Sequence, residues 1–374
     1  MPRMFDVLRG TVKNNDKREG QEKKSSAGDL KNSGGEKKPA SQPLSFPREI
    51  LTSAPKEVPS AEDHSLTSKK LISAVRQHGV DSHEKAQNLY DNAVAVIREM
   101  LGKISMGEDI NLYNHKLSEL LDDVFNQLVM GDNILISVYE KKKEEYYLPY
   151  HIVNCLLLSS IIGLNMGFNK SRLSHLGLAC IFYDTGLDSL KEIICSPSAI
   201  TREGRSVIDS HIDKSLRIAE RIEGVNDVVK ETIRTHHERM NGAGYPRGIK
   251  ADEINVYAKI IGLVDTYEAI THIRPYREEV NTHKAVRAIV GPMKNYFDAD
   301  VMKIFINKMS VYPIGSIVKL DTEETARVIS AHPGSPLRPV IMILSGADGS
   351  PVRERTIIDL SKQDSPSIKD SAQP

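Results

Sequence analysis

A chain of 374 residues with 50 Lys and Arg against 50 Asp and Glu carries no net charge, so neither sequence-independent DNA binding nor adhesion to an anionic membrane is expected. The length suffices for one large domain or two smaller ones with a real core. The three cysteines, Cys155, Cys180 and Cys195, form neither a CxxC pair nor an even framework, which points to free thiols in a reducing cytosol.

In chain order, residues 1–10 lack the apolar run and small-residue cleavage site of a signal peptide. Residues 11–62 are rich in Lys, Glu, Ser, Gly and Pro without a hydrophobic period, so 1–62 is expected to be a disordered tether. Over 63–145 the pattern turns helical: Leu89, Ala93, Val96 and Met100, then Leu117, Leu120, Leu121, Val124 and Leu128, recur every three or four residues. Asp109-Ile110-Asn111 marks a helix start and Gly131-Asp132-Asn133 a stop. This region carries no recognisable chemistry and reads as a regulatory layer, a dimerising layer or a plain structural extension.

Residues 146–310 predict helices near 150–166, 171–182, 202–222, 225–239, 254–272, 281–291 and 298–309. The longest apolar run, 153–166, is interrupted by Asn154, Ser159 and Ser160 and is too short to span a bilayer, so a cytoplasmic protein is expected. After Tyr312-Pro313 the period changes. Short β-rich runs at 317–320, 326–329, 340–344 and 356–360 are separated by turn sequences, predicting a small antiparallel appendage over 311–362. Residues 363–374 read as a disordered tail.

The densest chemistry is His236-His237-Glu238-Arg239-Met240-Asn241-Gly242-Ala243-Gly244-Tyr245-Pro246. Adjacent imidazoles cannot share one helical face, so a pair at a helix end can address a metal from two directions. Gly242 and Gly244 permit positive φ, and Pro246 stiffens the exit of the turn. Four more residues join them. His151 opens an apolar helix, Asp184 ends another at Asp184-Thr185-Gly186, and His211 sits in an amphipathic one. Asp265 interrupts Ile260-Ile261-Gly262-Leu263-Val264, where an isolated charge is very costly unless paired or metal-bound. Singly, each has an ordinary structural explanation; together they suggest a metal centre.

The composite of His211, His236-His237-Glu238-Arg239, Gly244-Tyr245-Pro246, Val264-Asp265-Thr266-Tyr267 and Arg274-Pro275-Tyr276-Arg277 resembles the HD-GYP family, the bacterial branch of the HD phosphohydrolases. The resemblance implies a mainly α, HD-type helical bundle with an N-terminal helical extension and a small C-terminal β appendage. Family members of this kind open cyclic di-GMP to the linear dinucleotide and sometimes on to GMP, using two metals, often iron or manganese. By resemblance, His151 and Asp265 serve one metal, His211, His236 and His237 the other, and Asp184 bridges. Asp184 and Asp265 are then the catalytic carboxylates, and Gly244, Tyr245, Pro246, Arg274 and Arg277 lie beside the nucleotide.

The sequence departs from the family at its signature doublet. His-Asp-x-Gly-Lys is replaced by Tyr183-Asp184-Thr185-Gly186-Leu187, removing one ligand and one cation. A phenol with a pKa of about 10 is a poor substitute for imidazole on a divalent metal. One well-occupied metal beside a weakened second is therefore expected. Tyr147 stands where some members place an additional Glu, which argues against a third metal. Neither His272, about 10 Å along the helix from Asp265, nor His175 is expected to compensate. Three readings follow: a cyclic di-GMP phosphodiesterase of reduced activity; an inactive module that binds cyclic di-GMP, a cyclic di-GMP synthase or another signalling protein; and, least favoured, a different phosphohydrolase such as a nucleotidase on the same scaffold.

Overall fold

The computed structural model describes residues 68–130, 134, 137–138, 146–196, 201–272, 282–308, 312, 316–330, 335, 337–352 and 356–372; the predicted tether, Arg274 and Arg277 lie outside them. Helix α1 (Ser68–Ser105) buries Ala86, Tyr90, Ala93, Ile97, Met100 and Leu101, spaced by three and four, so one stripe faces the core. Helix α2 (Tyr113–Met130) buries the predicted Leu117, Leu120, Leu121, Val124 and Leu128. It starts later than Asp109-Ile110-Asn111 suggests, because the Asp109 carboxylate accepts the Asn111 N–H at 3.1 Å and holds a turn instead.

Helix α3 (Leu148–Asn165) is apolar nearly all round and is the centre of the bundle, packed by α1, by α4 (Lys170–Phe182) and by α9 (Val256–Thr271). Pro149 sits in its first turn, where a missing N–H costs nothing. Among the described residues α3 is the one helix long and apolar enough to cross a membrane, and 83% of it is buried inside the protein, as befits a core helix.

After α4 comes a 3₁₀ turn (Thr185–Leu190) and the short α5 (Lys191–Ile194), neither evident from periodicity. The predicted helix 202–222 is two: α6 (Arg202–Asp209) and α7 (His211–Ala219). Ser210 parts them, its hydroxyl donating to the Val207 carbonyl at 2.6 Å. Helix α8 (Asp227–Thr235) ends four residues before the predicted 239, placing both histidines of the pair at its exit. Helices α10 (Thr282–Val290) and α11 (Ala299–Lys308) close the bundle. Cys155 and Cys180 are buried free thiols as expected, and Cys195 is half-buried.

The C-terminal strands β1 (Ile317–Leu320), β2 (Thr325–Ser330), β3 (Val340–Ser345), β4 (Ile357–Asp359) and β5 (Ile368–Ala372) form an antiparallel sheet in the order β4-β3-β2-β1-β5. Strand β5 corrects the expected tail over 363–374, because Ile317 pairs with Ala372 and Lys319 with Asp370. The Asp321 carboxylate clasps its entry, accepting the Ser367 N–H at 3.0 Å and the Ser367 hydroxyl at 2.7 Å. Val318, Leu320, Ala326, Val328, Ile341 and Ile343 alternate along the strands as the buried face.

Candidate metal centre

Glycine governs how closely the elements of the site approach. A Cβ on Gly186 would lie 2.3 Å from the His211 carbonyl and 2.8 Å from Ser215 N, so only glycine lets the 3₁₀ turn rest on the start of α7. Gly262 does the same for α9 against the exit of α8, where a Cβ would meet the His236 carbonyl at 2.6 Å. These contacts bring Asp184 against His211, and Asp265 against the histidine pair.

His211 Nδ1 donates to the Ile208 carbonyl at 2.7 Å, and His236 Nδ1 to the Ile233 carbonyl at 2.7 Å. A carbonyl only accepts, so each Nδ1 carries a proton. In the neutral ring each Nε2 is then a lone pair, and these two nitrogens face each other at 3.4 Å. Asp184 Oδ1 lies 3.2 Å from His211 Nε2 and 3.8 Å from His236 Nε2, buried and accepting no well-formed hydrogen bond. His237 completes a four-residue group whose ligand atoms lie within 4.8 Å of one another.

Burial pushes His236 down to about 4, and burial with the neighbouring imidazoles holds His237 well below the ordinary histidine range. Burial opposes the charged form of His211 too, but the Asp184 carboxylate outweighs it and raises that group. Burial would likewise raise Asp184, yet His151 and His211, which can donate to it when protonated, keep its carboxyl well below the usual range. Two imidazoles held neutral by burial, a third beside an ionised carboxylate, and all of them converging on one point suit a divalent cation.

A second group comprises His151, Asp184 and Asp265, sharing Asp184 with the first. His151 Nε2 lies 3.1 Å from Asp184 Oδ2 and 3.3 Å from Asp265 Oδ1. Tyr183, fully buried, points its hydroxyl at the same Nε2 from 2.8 Å. The imidazole's other nitrogen is held by the Glu268 carboxylate. With Nδ1–H given to Glu268, Nε2 of the neutral ring accepts from Tyr183, so the phenol competes for the lone pair that a cation would use. Leu187, only 8% exposed, puts no charge beside the centre.

His237 and Asp265 lie at the mouth, with side chains 15% and 11% exposed. Tyr245 stacks on His237 with ring centroids 4.6 Å apart, and the Tyr245-Pro246 peptide is cis. The loop is pinned from behind by Glu238, whose Oε1 accepts the N–H groups of Arg247 at 2.7 Å and Gly248 at 3.1 Å. Arg239 caps the end of α8, donating to the carbonyls of His236 at 3.0 Å and Glu238 at 2.8 Å.

All six predicted ligands thus meet in one place. His272 and His175 do not join them: His272 Nε2 donates to the Val138 carbonyl at 2.9 Å, and His175 accepts from Asn226 at 2.9 Å. Glu268 and Glu238 were not singled out by sequence reasoning. A second acid one turn after Asp265, inside the same apolar helix, was the available signal for Glu268.

Residues 141–301 match the HD domain family, and residues 317–374 match a KOW domain associated with HD domain, which extends the β appendage through the expected tail. A cyclic di-GMP phosphodiesterase of Pseudomonas aeruginosa is 25% identical over 324 residues, covering 86% of this chain and 76% of that protein. A cyclic di-GMP phosphodiesterase of Borreliella burgdorferi is 26% identical over 216 residues, 58% of this chain and 55% of that one. A 3'3'-cGAMP-specific phosphodiesterase of Vibrio cholerae is 28% identical over 171 residues, 45% of this chain and 38% of its own. A solved structure of a HDG"Y"P protein from Bdellovibrio bacteriovorus shares the fold, with a TM-score of 0.50 and 13% identity over 60% of this chain and 71% of that one.

Proposed function

With residues 141–301 belonging to the HD domain family, we propose that this chain is a metal-dependent phosphodiesterase acting on a cyclic dinucleotide of the cyclic di-GMP class. The observation that carries this reading is the facing pair of Nε2 atoms on His211 and His236, 3.4 Å apart beside an unsatisfied Asp184 oxygen. Asp184, His211, His236 and His237 would hold one divalent cation tightly, iron or manganese by family resemblance. His151, Asp184 and Asp265 would hold a second weakly, because the Tyr183 hydroxyl competes for His151. A bound cation supplies Lewis acidity toward a phosphodiester oxygen and toward the attacking water.

The chain's own residues do the rest. Asp265, at the mouth, orients the water and takes its proton. The Gly244-Tyr245-Pro246 loop presents an aromatic face at the opening, suited to stacking on a base, and Arg274 and Arg277 are assigned to its phosphates. Leu187 leaves a developing phosphoryl charge without the family's lysine, a loss of about 10²–10³ in turnover. The proposed enzyme is therefore slow.

The test is conversion of cyclic di-GMP and 3'3'-cGAMP by iron- or manganese-loaded protein, beside His236→Ala and the double variant Tyr183→His/Leu187→Lys. Slow formation of a linear product, abolished in the first variant and faster in the second, supports the proposal. Binding without any product would instead establish a non-hydrolytic module.

A further inference from the structure

The N-terminal helical layer carries no chemistry of its own in sequence, yet one of its side chains is linked through two others to the candidate metal centre. Tyr90 on α1 is 3% exposed, and its hydroxyl donates to Asn154 Oδ1 at 2.9 Å. Asn154 is 2% exposed and sits one turn after His151 on α3. Its amide donates in turn to Glu268 Oε1 at 3.1 Å. The other Glu268 oxygen takes the His151 Nδ1 hydrogen bond. Four polar side chains from three helices therefore form one buried path ending at a candidate ligand.

Each link settles the next. The Asn154 amide has one carbonyl oxygen and one NH₂ group, and flipping it would set its carbonyl oxygen against the Glu268 carboxylate, acceptor against acceptor. The Glu268 carboxylate only accepts, so it draws the NH₂ end, and the Tyr90 hydroxyl donates to the amide oxygen left facing α1 and holds it there. With Oε1 engaged, Oε2 is directed at His151 Nδ1, which keeps that nitrogen protonated and turns Nε2 toward Asp184 and Asp265. The tyrosine also stops water from supplying the missing donor in a different geometry, since every member of the path is buried.

We propose that Tyr90 is a positioning residue for the centre, acting through Asn154 and Glu268 to set the tautomer and orientation of His151. The N-terminal helical layer is thereby part of the catalytic apparatus, not an appendage to it. This inference rests on the metal-centre reading only for its functional consequence; the tautomer of His151 can be read without metal or turnover.

The experiment compares wild type with Tyr90→Phe, which removes one hydroxyl and keeps the ring that packs α1 on α3. In metal-free protein labelled with ¹⁵N-histidine, the imidazole resonances of His151, His211 and His236 are assigned by single substitutions. The expected result is a shift of the His151 pair toward a mixed tautomer, with His211 and His236 unmoved. Manganese titration of the same variant should show the weaker class of site losing about 10–100-fold in affinity while the tighter class holds. An unmoved His151 resonance, or equal shifts at all three histidines, would overturn the proposal. Failure of the phosphodiesterase reading would leave the resonances as they are and appear only in the turnover assay.

Discussion

Replacing Tyr183 by phenylalanine should strengthen metal binding, although it removes the residue that stands in a ligand position. The Tyr183 hydroxyl lies 2.8 Å from His151 Nε2, and the side chain is fully buried. A cation that takes the Nε2 lone pair must break this hydrogen bond and leave the hydroxyl to the weakly accepting Cys155 thiol beside it. Leaving a buried donor unsatisfied costs about 1–3 kcal/mol. At about 1.4 kcal/mol per factor of ten, that is roughly 5–150-fold in affinity. Tyr183→Phe removes the penalty by removing the hydroxyl, at the expense of one hydrogen bond in the metal-free protein. Calorimetric titration with manganese should therefore show the weaker class of site tightening by about that factor, with the tighter class unchanged. Loss of a metal in Tyr183→Phe would refute the reasoning, because it would make the phenol a ligand and not a competitor.

Three other perturbations probe the supports. Gly186→Ala places a Cβ 2.3 Å from the His211 carbonyl and 2.8 Å from Ser215 N, both backbone, so neither neighbour can rotate away. A loss of about 1–3 kcal/mol in unfolding free energy, with release of the tighter metal, should follow; an unaffected metal content would contradict the close approach. Glu238→Ala leaves the N–H groups of Arg247 and Gly248 without their acceptor, so hydrogen exchange over 242–248 should quicken and KM should rise more than kcat falls. His236 is held at about 4 by burial, below its ordinary 6.5, so between these values the unfolded chain binds more protons than the folded one. Metal-free protein should lose up to about 3 kcal/mol of stability as the pH falls through that window. His236→Gln should flatten the profile, and an equally steep profile in that variant would reassign the dependence.

How far the sequence revealed this centre depends on what kind of order each part uses. Helix periodicity located the bundle well, because the stripes of α2 and the solid apolar run of α3 are packing patterns written in single residues. Ser210 split one predicted helix in two through a local hydroxyl contact that periodicity does not register. Strand β5 was missed because Ile368-Lys369-Asp370-Ser371-Ala372 has almost no apolar alternation; backbone pairing to β1 and the Asp321 clasp on Ser367 define it instead. The candidate ligands were legible since imidazoles and carboxylates stand out against apolar helices. Their supports were not. Asn154 looked like an interruption of an apolar run, and only the fold shows it joining Tyr90, which lies 64 residues away, to Glu268, which lies 114 away.

The account turns on a tight metal held by Asp184, His211, His236 and His237, and on hydrolysis that survives the loss of the doublet's histidine and lysine. Its most direct test is a time course of cyclic di-GMP with manganese-loaded wild type, followed by separation of the nucleotides. The account predicts slow accumulation of the linear dinucleotide, about 10²–10³ below a protein carrying the lysine at position 187, and none from His236→Ala. Intact cyclic di-GMP after prolonged incubation with protein shown to contain its metal would contradict it.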